Sequence, residues 1–562
     1  MNGIPTKYYL FLLLPVLLLG ACKKSILQLN NPVSPTPESS LITEGGIDAF
    51  AQGIYEKWIA NETGDGLTNF FDIDLLMESG MGDEEFSPYS NWGGRFPSIV
   101  ATITLPAAYG GTVIPNPSTY VNQEALLNSN NSRAAGDQNS LQYAWDVFYY
   151  MNAQANTLLQ ALANPALKLT GDAATKKNLL QAWAYYWKGY CYSKLGSLYL
   201  AAVIDDSPDS TSQGLTSGTY VVHDSVISAA NRNFNVAASI FGSITENGDY
   251  DATFEAMIPS FNLNTQIITP AMWVRQIHSY EARNFLANHK VATMSASDWN
   301  TVQTLAATGM VQGDYTLQFG EEAGGVNDLS SFGGFIFHPF ERVSISGGAL
   351  SFVSERLIQD YQPGDHRFTK NFDLYPTGTV VNVRTRGIQF GTRYGVVDIE
   401  NGGSYASETR LGTVPIAPTW EENSLMIAEA KIRSGSDING GLQLIDQVRT
   451  ADSAYLPPLS GSGISQDSAI EQLRSERRVG LFMRGVSWYD ARRWGVNTPA
   501  AQGGGRANAI VIVPGPFYST NQSAPAIPIS CSIDYSYVDY WDVPQNELDF
   551  NPAGSGSSPI HN

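Results

Sequence analysis

The sequence predicts a mainly α fold built from irregular antiparallel helical pairs, interrupted by a loop-rich insertion of short strands. Three observations carry this expectation. Leu180, Trp183, Trp187, Cys191, Leu195 and Leu198 recur at spacings of three and four, which draws one apolar stripe along a helix. Tyr185, Tyr186, Tyr190 and Tyr199 cover its other faces, so that helix is expected to be buried on more than one side. Between Gly309 and Pro418 the rhythm gives way to Gly, Thr, Val and aromatic residues, as in Gly333-Gly334-Phe335-Ile336-Phe337 and Thr379-Val380-Val381-Asn382-Val383. Such stretches read as loops and short strands.

In chain order, residues 1 to 21 carry Lys7, the apolar run Tyr8 to Leu19 and the small pair Gly20-Ala21 before Cys22. A membrane-spanning helix needs about 20 apolar residues, so this run is an export signal. Leu19-Gly20-Ala21-Cys22 resembles the lipobox of bacterial lipoproteins, in which the Cys is lipidated and acylated after cleavage just before it. Several acyl chains, at about 0.8 kcal/mol per buried methylene, make release from a bilayer negligible. Residues 22 to 40, with Pro32, Pro35 and Pro37, form an extended tether. The single domain expected from 41 to 562 divides into a helical scaffold at about 41–308 and 419–495, the loop-rich subdomain at about 309–418 and a wrapping tail at 496–562.

Helices are expected at Ile47–Ala60, Leu141–Ala163, Ala173–Leu200, Asn231–Glu246 and Ser279–Thr308, then at Trp420–Ser434, Gly440–Ala451 and Ser468–Met483. Asn61 to Arg133 reads as loop-rich with a strand-like piece at Ser98–Leu105. The linker Asn164 to Asp172, with Pro165 and Gly171, folds two helices into an antiparallel pair. Such pairs look tetratricopeptide-like, although no clean 34-residue consensus repeats. Pro499 to Asn562 is rich in Pro, Gly, Ser and Tyr and is expected to wrap the surface without long elements.

Hydrophobic content of 43% and 11% aromatic residues over 562 residues support a sizeable core and exclude general disorder. The formal charge is −20, or −21 once Lys7 leaves with the signal. That disfavours broad electrostatic binding of nucleic acid or anionic lipid. Cys191 and Cys531 remain besides Cys22. Cys191 suits a buried thiol, and spacing leaves a disulfide between the two open.

Glu476-Arg477-Arg478 followed by Gly485-Val486-Ser487-Trp488-Tyr489-Asp490-Ala491-Arg492-Arg493-Trp494-Gly495 resembles the C-terminal signature of the SusD/RagB family. Ile427-Ala428-Glu429-Ala430, Arg449 and the closing Val543-Pro544-Gln545-Asn546-Glu547 through Asn551-Pro552 are similar to further family elements. The chain departs from the pattern at Val486-Ser487, where Arg usually follows the Gly, and at Lys188, where Arg is common. Read from the residues alone, Arg477, Arg478, Arg492 and Arg493 beside Glu476 and Asp490 suit ion pairs and stacking on Trp488 and Trp494. The resemblance implies an outer-membrane, surface-exposed lipoprotein. It would capture glycan or a related nutrient and pass it to a TonB-dependent, SusC-like barrel.

Enzyme constellations are sparse. The six histidines lack close metal-ligand spacing, and no GxSxG elbow, Walker A loop or GxGxxG fingerprint occurs. Asp83-Glu84-Glu85, Glu321-Glu322 and Glu421-Glu422 offer carboxylates for a glycosidase, but runs of acids are more often solvated faces. Asp205-Asp206-Ser207-Pro208-Asp209 offers oxygens to Ca²⁺ without the EF-hand pattern, so no cofactor and no catalytic residue are expected. The rival readings are a lipid-anchored glycoside hydrolase and a tetratricopeptide-type adaptor for protein partners.

A ligand face is the stronger expectation. Sugar rings need aromatic planes for their C–H faces and amides or carboxylates for their hydroxyls. Asp83, Tyr89, Asn91, Trp92 and Arg95 provide both in one Gly-rich loop, and in SusD-like proteins the corresponding early loop often contributes to glycan binding. Phe332 and Phe335 form a second candidate.

Overall fold

The computed structural model describes residues 40–59, 77–86, 93–116, 119–206, 218–263, 265–320, 352–375, 391–397 and 413–562. Among the described residues, the α-helices of seven residues or more are α1 (Glu44–Ile59), α2 (Gln123–Asn130), α3 (Gln142–Ala163), α4 (Ala173–Leu198), α5 (His223–Ser243), α6 (Gly248–Met257), α7 (Pro270–Ala287), α8 (Ala296–Ala306), α9 (Trp420–Ser434), α10 (Ile438–Ala451), α11 (Gln466–Gly480) and α12 (Ser487–Arg493). Short strands are β1 (Glu85–Phe86), β2 (Thr102–Thr104), β3 (Val113–Pro115), β4 (Ala201–Ala202), β5 (Val221–Val222), β6 (Gln318–Gly320), β7 (Phe352–Val353), β8 (Phe372–Leu374), β9 (Tyr394–Val396) and β10 (Thr413–Pro415). Two longer strands, β11 (Arg506–Val513) and β12 (Ile527–Asp534), close the chain. The fold is mainly α, as the sequence predicts. Among the described residues, no helix is long and apolar enough to cross a membrane.

α4 is the spine. Its whole predicted stripe is buried, and so are Tyr186, Tyr190 and Tyr199, while Tyr185 is half-buried. The tyrosines and tryptophans interlock with neighbouring helices rather than facing water. Tyr55 of α1 stacks on Trp187 at 5.4 Å, and Trp273 of α7 meets Tyr186 edge-on at 4.9 Å. Offset and edge-to-face contacts of this kind add to the area term of burial. Trp183 Nε1 donates to the Ala51 carbonyl at 2.9 Å, so α1 is pinned as well as packed. α5 lies close because Gly189 presents no side chain: a Cβ there would stand 2.5 Å from the Phe234 ring. A second core joins α9, α10 and α11 through Leu425, Ile432, Leu442, Ile445 and Leu473. A third joins α7, α8 and α9 through Leu286, Trp299, Val302 and Met426.

Lys188, where the family favours Arg, sits fully buried on α4. Its ammonium donates to Asn156 Oδ1 at 2.5 Å and Asn152 Oδ1 at 3.2 Å, and lies 3.3 Å from Asp206. Both remaining cysteines are free and buried, which settles the pairing left open by their spacing.

Several expectations change. α5 begins at His223, eight residues before the predicted start, and α6 was not predicted. The stretch predicted as one helix over 279–308 is two, because α7 ends at Ala287 and α8 restarts behind a capping box of Ser295 and Asp298. The tail carries long elements after all. β11 and β12 form an antiparallel hairpin that β2 and β3 extend into a four-stranded sheet. Its apolar run Ala509-Ile510-Val511-Ile512-Val513 drives that pairing, and the surrounding Gly and Pro residues only bound it.

The C-terminal signature is a buried charge lattice. Arg493 donates to Glu429 Oε1 at 2.8 Å, Glu429 Oε2 at 2.5 Å and Asp490 Oδ1 at 2.8 Å. Arg477 holds the other Asp490 oxygen at 2.7 Å. Arg492 donates to the carbonyls of Ser197 (2.6 Å) and Ala287 (2.7 Å), the last turns of α4 and α7, where a cation offsets the negative helix end. Arg492 also lies 5.9 Å from the Trp488 ring, and Arg493 4.9 Å from Trp494. The predicted stacking and the pairing of Arg477 and Arg493 with Asp490 are therefore present. Arg478 instead pairs with Asp360, Arg492 serves carbonyls, and Glu476 takes Arg367 (2.5 Å) and Arg449 (2.7 Å) as partners. Burial alone would raise the Glu429 carboxyl, but Arg493 and Arg433 outweigh it and hold it well below the usual range.

Removing one member of such a lattice strands its partners. Arg493→Met is expected to destabilise the fold by about 3–5 kcal/mol, measured by urea unfolding. Glu429→Leu combined with Arg493→Met should cost clearly less than the two single changes added together. Additive costs would contradict the coupling.

Candidate functional site

The predicted ligand loop leaves a helical turn at 77–81 that ends in a tight reversal. Gly82 N donates to the Glu78 carbonyl at 2.8 Å and Glu84 N to that of Ser79 at 2.9 Å, with Asp83 in the left-handed region at φ 57°. Gly82 is required here, since a Cβ would stand 2.1 Å from Ser487 Oγ on α12. Arg478 of α11 donates to the carbonyls of both Gly82 (2.6 Å) and Asp83 (2.9 Å). The signature helix thus grips the root of the loop directly.

Asp83 itself is turned inward. Its carboxylate accepts from Arg356 Nε at 2.9 Å and Nη2 at 2.7 Å, from Ser354 Oγ at 2.7 Å and from Tyr535 OH at 2.6 Å. Burial opposes its charge, yet Arg356 prevails and keeps the carboxyl well below its ordinary range. A charge this fully satisfied, with 4% of the residue exposed, anchors the loop rather than reaching toward a ligand. The expected role of Asp83 as a ligand contact therefore becomes a positioning role. Arg356, Ser354 and Tyr535 were not singled out in the sequence, where they lie more than 270 residues away and carry no local motif.

Glu84 and Glu85 are also buried, as is Glu422, which pairs with Arg283. These acid runs are consequently not solvated faces: guanidinium and backbone donors draw them inside. Glu84 accepts from Met483 N at 3.3 Å through Oε2. Burial pushes its carboxyl up to about 7, against the opposing pull of Arg478. It lies sealed beneath α12. Asp205 and Asp206, the described part of the predicted acidic loop, serve Lys188 and Asn233.

From this root β1 runs antiparallel to β7, with Glu85 opposite Val353 and Phe86 opposite Phe352. The two phenylalanine rings stack at 5.6 Å. That register has a topological consequence. The chain leaving Phe86 leads to Tyr89, Asn91 and Trp92, and the chain arriving at Phe352 comes from the segment carrying Phe332 and Phe335. The chain therefore leaves β1 at Phe86 and enters β7 at Phe352 at the same end of the pair. Tyr89, Asn91, Trp92, Phe332, Phe335 and the lipidation residue Cys22 themselves lie outside the described residues.

The loop returns at Gly93, whose carbonyl accepts from Ser140 Oγ at 3.1 Å. Arg95 is half-buried, with its guanidinium 5.6 Å from the Phe96 ring. Gln123 then clamps the Pro97 carbonyl through its amide. Below the turn, Glu78 accepts from Lys194 at 2.7 and 2.8 Å and from Tyr489 OH at 2.5 Å. These groups line a cleft of about 630 Å³, its open mouth included, together with Tyr190, Tyr280 and Arg283.

Residues 422–553 match the model of the SusD family. Similar solved structures include a SusD-like carbohydrate-binding protein from Bacteroides fragilis NCTC 9343, 13% identical with a TM-score of 0.58, covering 91% of this chain and 99% of that one. A SusD homolog from Bacteroides thetaiotaomicron VPI-5482 is 13% identical at a TM-score of 0.55, over 92% of this chain and 97% of that chain. Surface glycan-binding protein A from Bacteroides fluxus is 15% identical at 0.50, over 92% and 99% respectively. No curated protein matches the chain.

The Glu84 proton sets a pH dependence with a definite sign. Below 4.5, the ordinary value for a glutamate, both folded and unfolded states are protonated. Between 4.5 and about 7 the unfolded chain releases a proton that the folded one keeps, so this residue's contribution to stability is lost as pH rises. Glu84→Gln should therefore gain stability relative to the parent protein from pH 4.5 to 8, by on the order of 3 kcal/mol. Denaturant titrations at the two pH values measure this, and a constant difference would contradict a buried, neutral Glu84.

Proposed function

We propose that this chain, a SusD/RagB family member with the family's fold over nearly its whole length, is a lipid-anchored binding protein that captures glycan or a related nutrient. In this reading it sits at the outer membrane, exposed on the cell surface, and hands its ligand to a TonB-dependent, SusC-like barrel. The family match over 422–553 and the fold of the SusD-like carbohydrate-binding protein support it. The observation that carries it is the β1–β7 register, in which the chain leaving Phe86 toward Trp92 and the chain arriving at Phe352 lie side by side.

The chemistry suits capture and release. Binding sites for small ligands combine apolar walls with a few placed polar groups. Tyr89 and Trp92 supply aromatic planes, and Asn91 and Arg95 supply donors. Their loop springs from a root immobilised by Asp83 and Arg478, so little backbone freedom is lost there on binding. Cys22 and the Pro-rich stretch to residue 40 tie the domain to the membrane while letting it swing as a lid. Binding alone requires no bond to be made or broken, so no catalytic residue is assigned.

The soluble chain from residue 23 onward, screened on a glycan panel, is expected to bind at least one glycan without turnover. Trp92→Ala should weaken that binding at least tenfold. Unchanged affinity would remove the loop from the site, and released products would favour a hydrolase instead. Co-purification of the lipidated protein with a large β-barrel tests the hand-off.

A further inference from the structure

On the far side of Arg478 from the loop root lies a polar cleft of about 1190 Å³, its open mouth included, between α11, the chain at Gln359–Pro363, Trp494 and the start of β11. Its charge runs against that of the protein. Arg474, Arg478 and Arg506 line it against Asp360 and Glu471, one net positive charge in a chain whose formal charge is −20.

The three guanidinium groups are unequally satisfied. Arg478 spends all three nitrogens on Asp360 and the Gly82 and Asp83 carbonyls. Among the described residues, Arg506 has only Asp360, at 3.5 Å, a carboxylate that Arg478 already holds more closely. Among the same residues Arg474 makes a single ion pair, at 3.0 Å, with a largely exposed Glu471, and its buried Nε has no partner. Exposed pairs of this kind are held weakly. Arg474 also lies 5.3 Å from the Trp494 ring, so a forked donor stands beside an aromatic plane.

The walls are built for hydroxyls. Gln362 Nε2 donates to Gln472 Oε1 at 2.5 Å, which leaves Gln362 Oε1 as an acceptor and Gln472 Nε2 as a donor without protein partners among the described residues. A β-bulge shapes the rim: the register of β11 on β12 slips between Arg506 and Ala509, with Asn508 at φ 56°. Gln359 fastens the bulge, donating to the Asn508 carbonyl at 2.7 Å and accepting from Ile510 N at 3.0 Å. Bulges re-aim side chains, and they recur beside functional sites.

We propose that this cleft is a second ligand site, separate from the Trp92 loop, that takes a hydroxyl-rich ring bearing one carboxylate, as in a uronic acid residue of a saccharide. The carboxylate docks on Arg506 and Arg474, whose planar forks match it in a way an ammonium would not. The amides of Gln362 and Gln472 take ring hydroxyls. None of these residues belongs to the loop site, so either reading stands or falls without the other.

Calorimetry with a galacturonic acid trisaccharide, and with the neutral galactose trisaccharide of the same linkage, tests the proposal on the soluble chain. The parent protein should bind the acidic sugar at least tenfold more tightly than the neutral one. Arg506→Gln and, independently, Ala507→Tyr, which fills the cleft from an exposed position without touching an ion pair, should each weaken acidic-sugar binding at least tenfold. Trp92→Ala should leave it unchanged. The proposal is overturned if the parent shows no preference for the acid, if Ala507→Tyr binds like the parent, or if Trp92→Ala alone abolishes binding. Should Arg506→Gln fail to fold by circular dichroism, Ala507→Tyr decides.

Discussion

Arg493, buried between Glu429 and Asp490, is the contact on which the rest of the molecule depends. Taking a guanidinium and two carboxylates out of water costs several kcal/mol per ion, which only close multidentate pairing can offset. That demand fixes α9 against α12, and Arg477 extends it to α11 through Asp490. Arg492, one residue away on α12, then reaches the carbonyl ends of α4 and α7. A seven-residue helix thereby joins the C-terminal core to the aromatic spine. Apolar packing alone would tolerate sliding between these helices, whereas a directional lattice admits one arrangement.

The lattice also explains how a loop far along the chain is held. α11 carries Arg477 on the lattice and Arg478 on the Gly82 and Asp83 carbonyls. Adjacent residues of one helix thus serve the core and the loop root at once. Asp83 completes the link by binding Arg356 and Tyr535, elements that precede and follow the signature in sequence. Asp83 thus belongs to the rigid root of the loop, although a carboxylate in this Gly-rich, aromatic stretch looks in sequence like a ligand contact.

Much of the scaffold was legible because periodic burial leaves a periodic trace. α1, α3, α4 and α9 to α11 fall close to where their stripes put them, and the charge and Trp spacing of the signature foretold a packed corner. What was illegible depends on distance or on weak local signals. The split between α7 and α8 was written in Asn288-His289-Lys290 and the Ser295–Asp298 box, but the helical residues on both sides masked it. The β11–β12 hairpin needed β2, some 400 residues earlier, to become a sheet. The inward turn of Asp83 required Arg356, and the burial of Glu422 required Arg283. A carboxylate beside Gly and aromatic residues looks the same in sequence whether it faces a sugar or a guanidinium.

The strongest compositional signal, the acidic surplus, takes on a different meaning once the partners are known. Arg356, Arg367, Arg477, Arg478, Arg492 and Arg493 are all buried, so much of the basic complement is spent on internal carboxylates and helix ends. The unbalanced acids then face solvent, and their field repels anions within about a Debye length, roughly 10 Å at 0.1 M salt, and is screened beyond it. On the proposed reading, ligand capture cannot draw on long-range attraction for an anion and gains nothing from it for a neutral glycan. Affinity must come from contact: aromatic planes, amides and the few guanidinium groups left short of partners. On the proposed reading, the fold meets that requirement by holding the backbone still beside both candidate sites, at the pairing of Phe86 with Phe352 and at the bulge before Ala509.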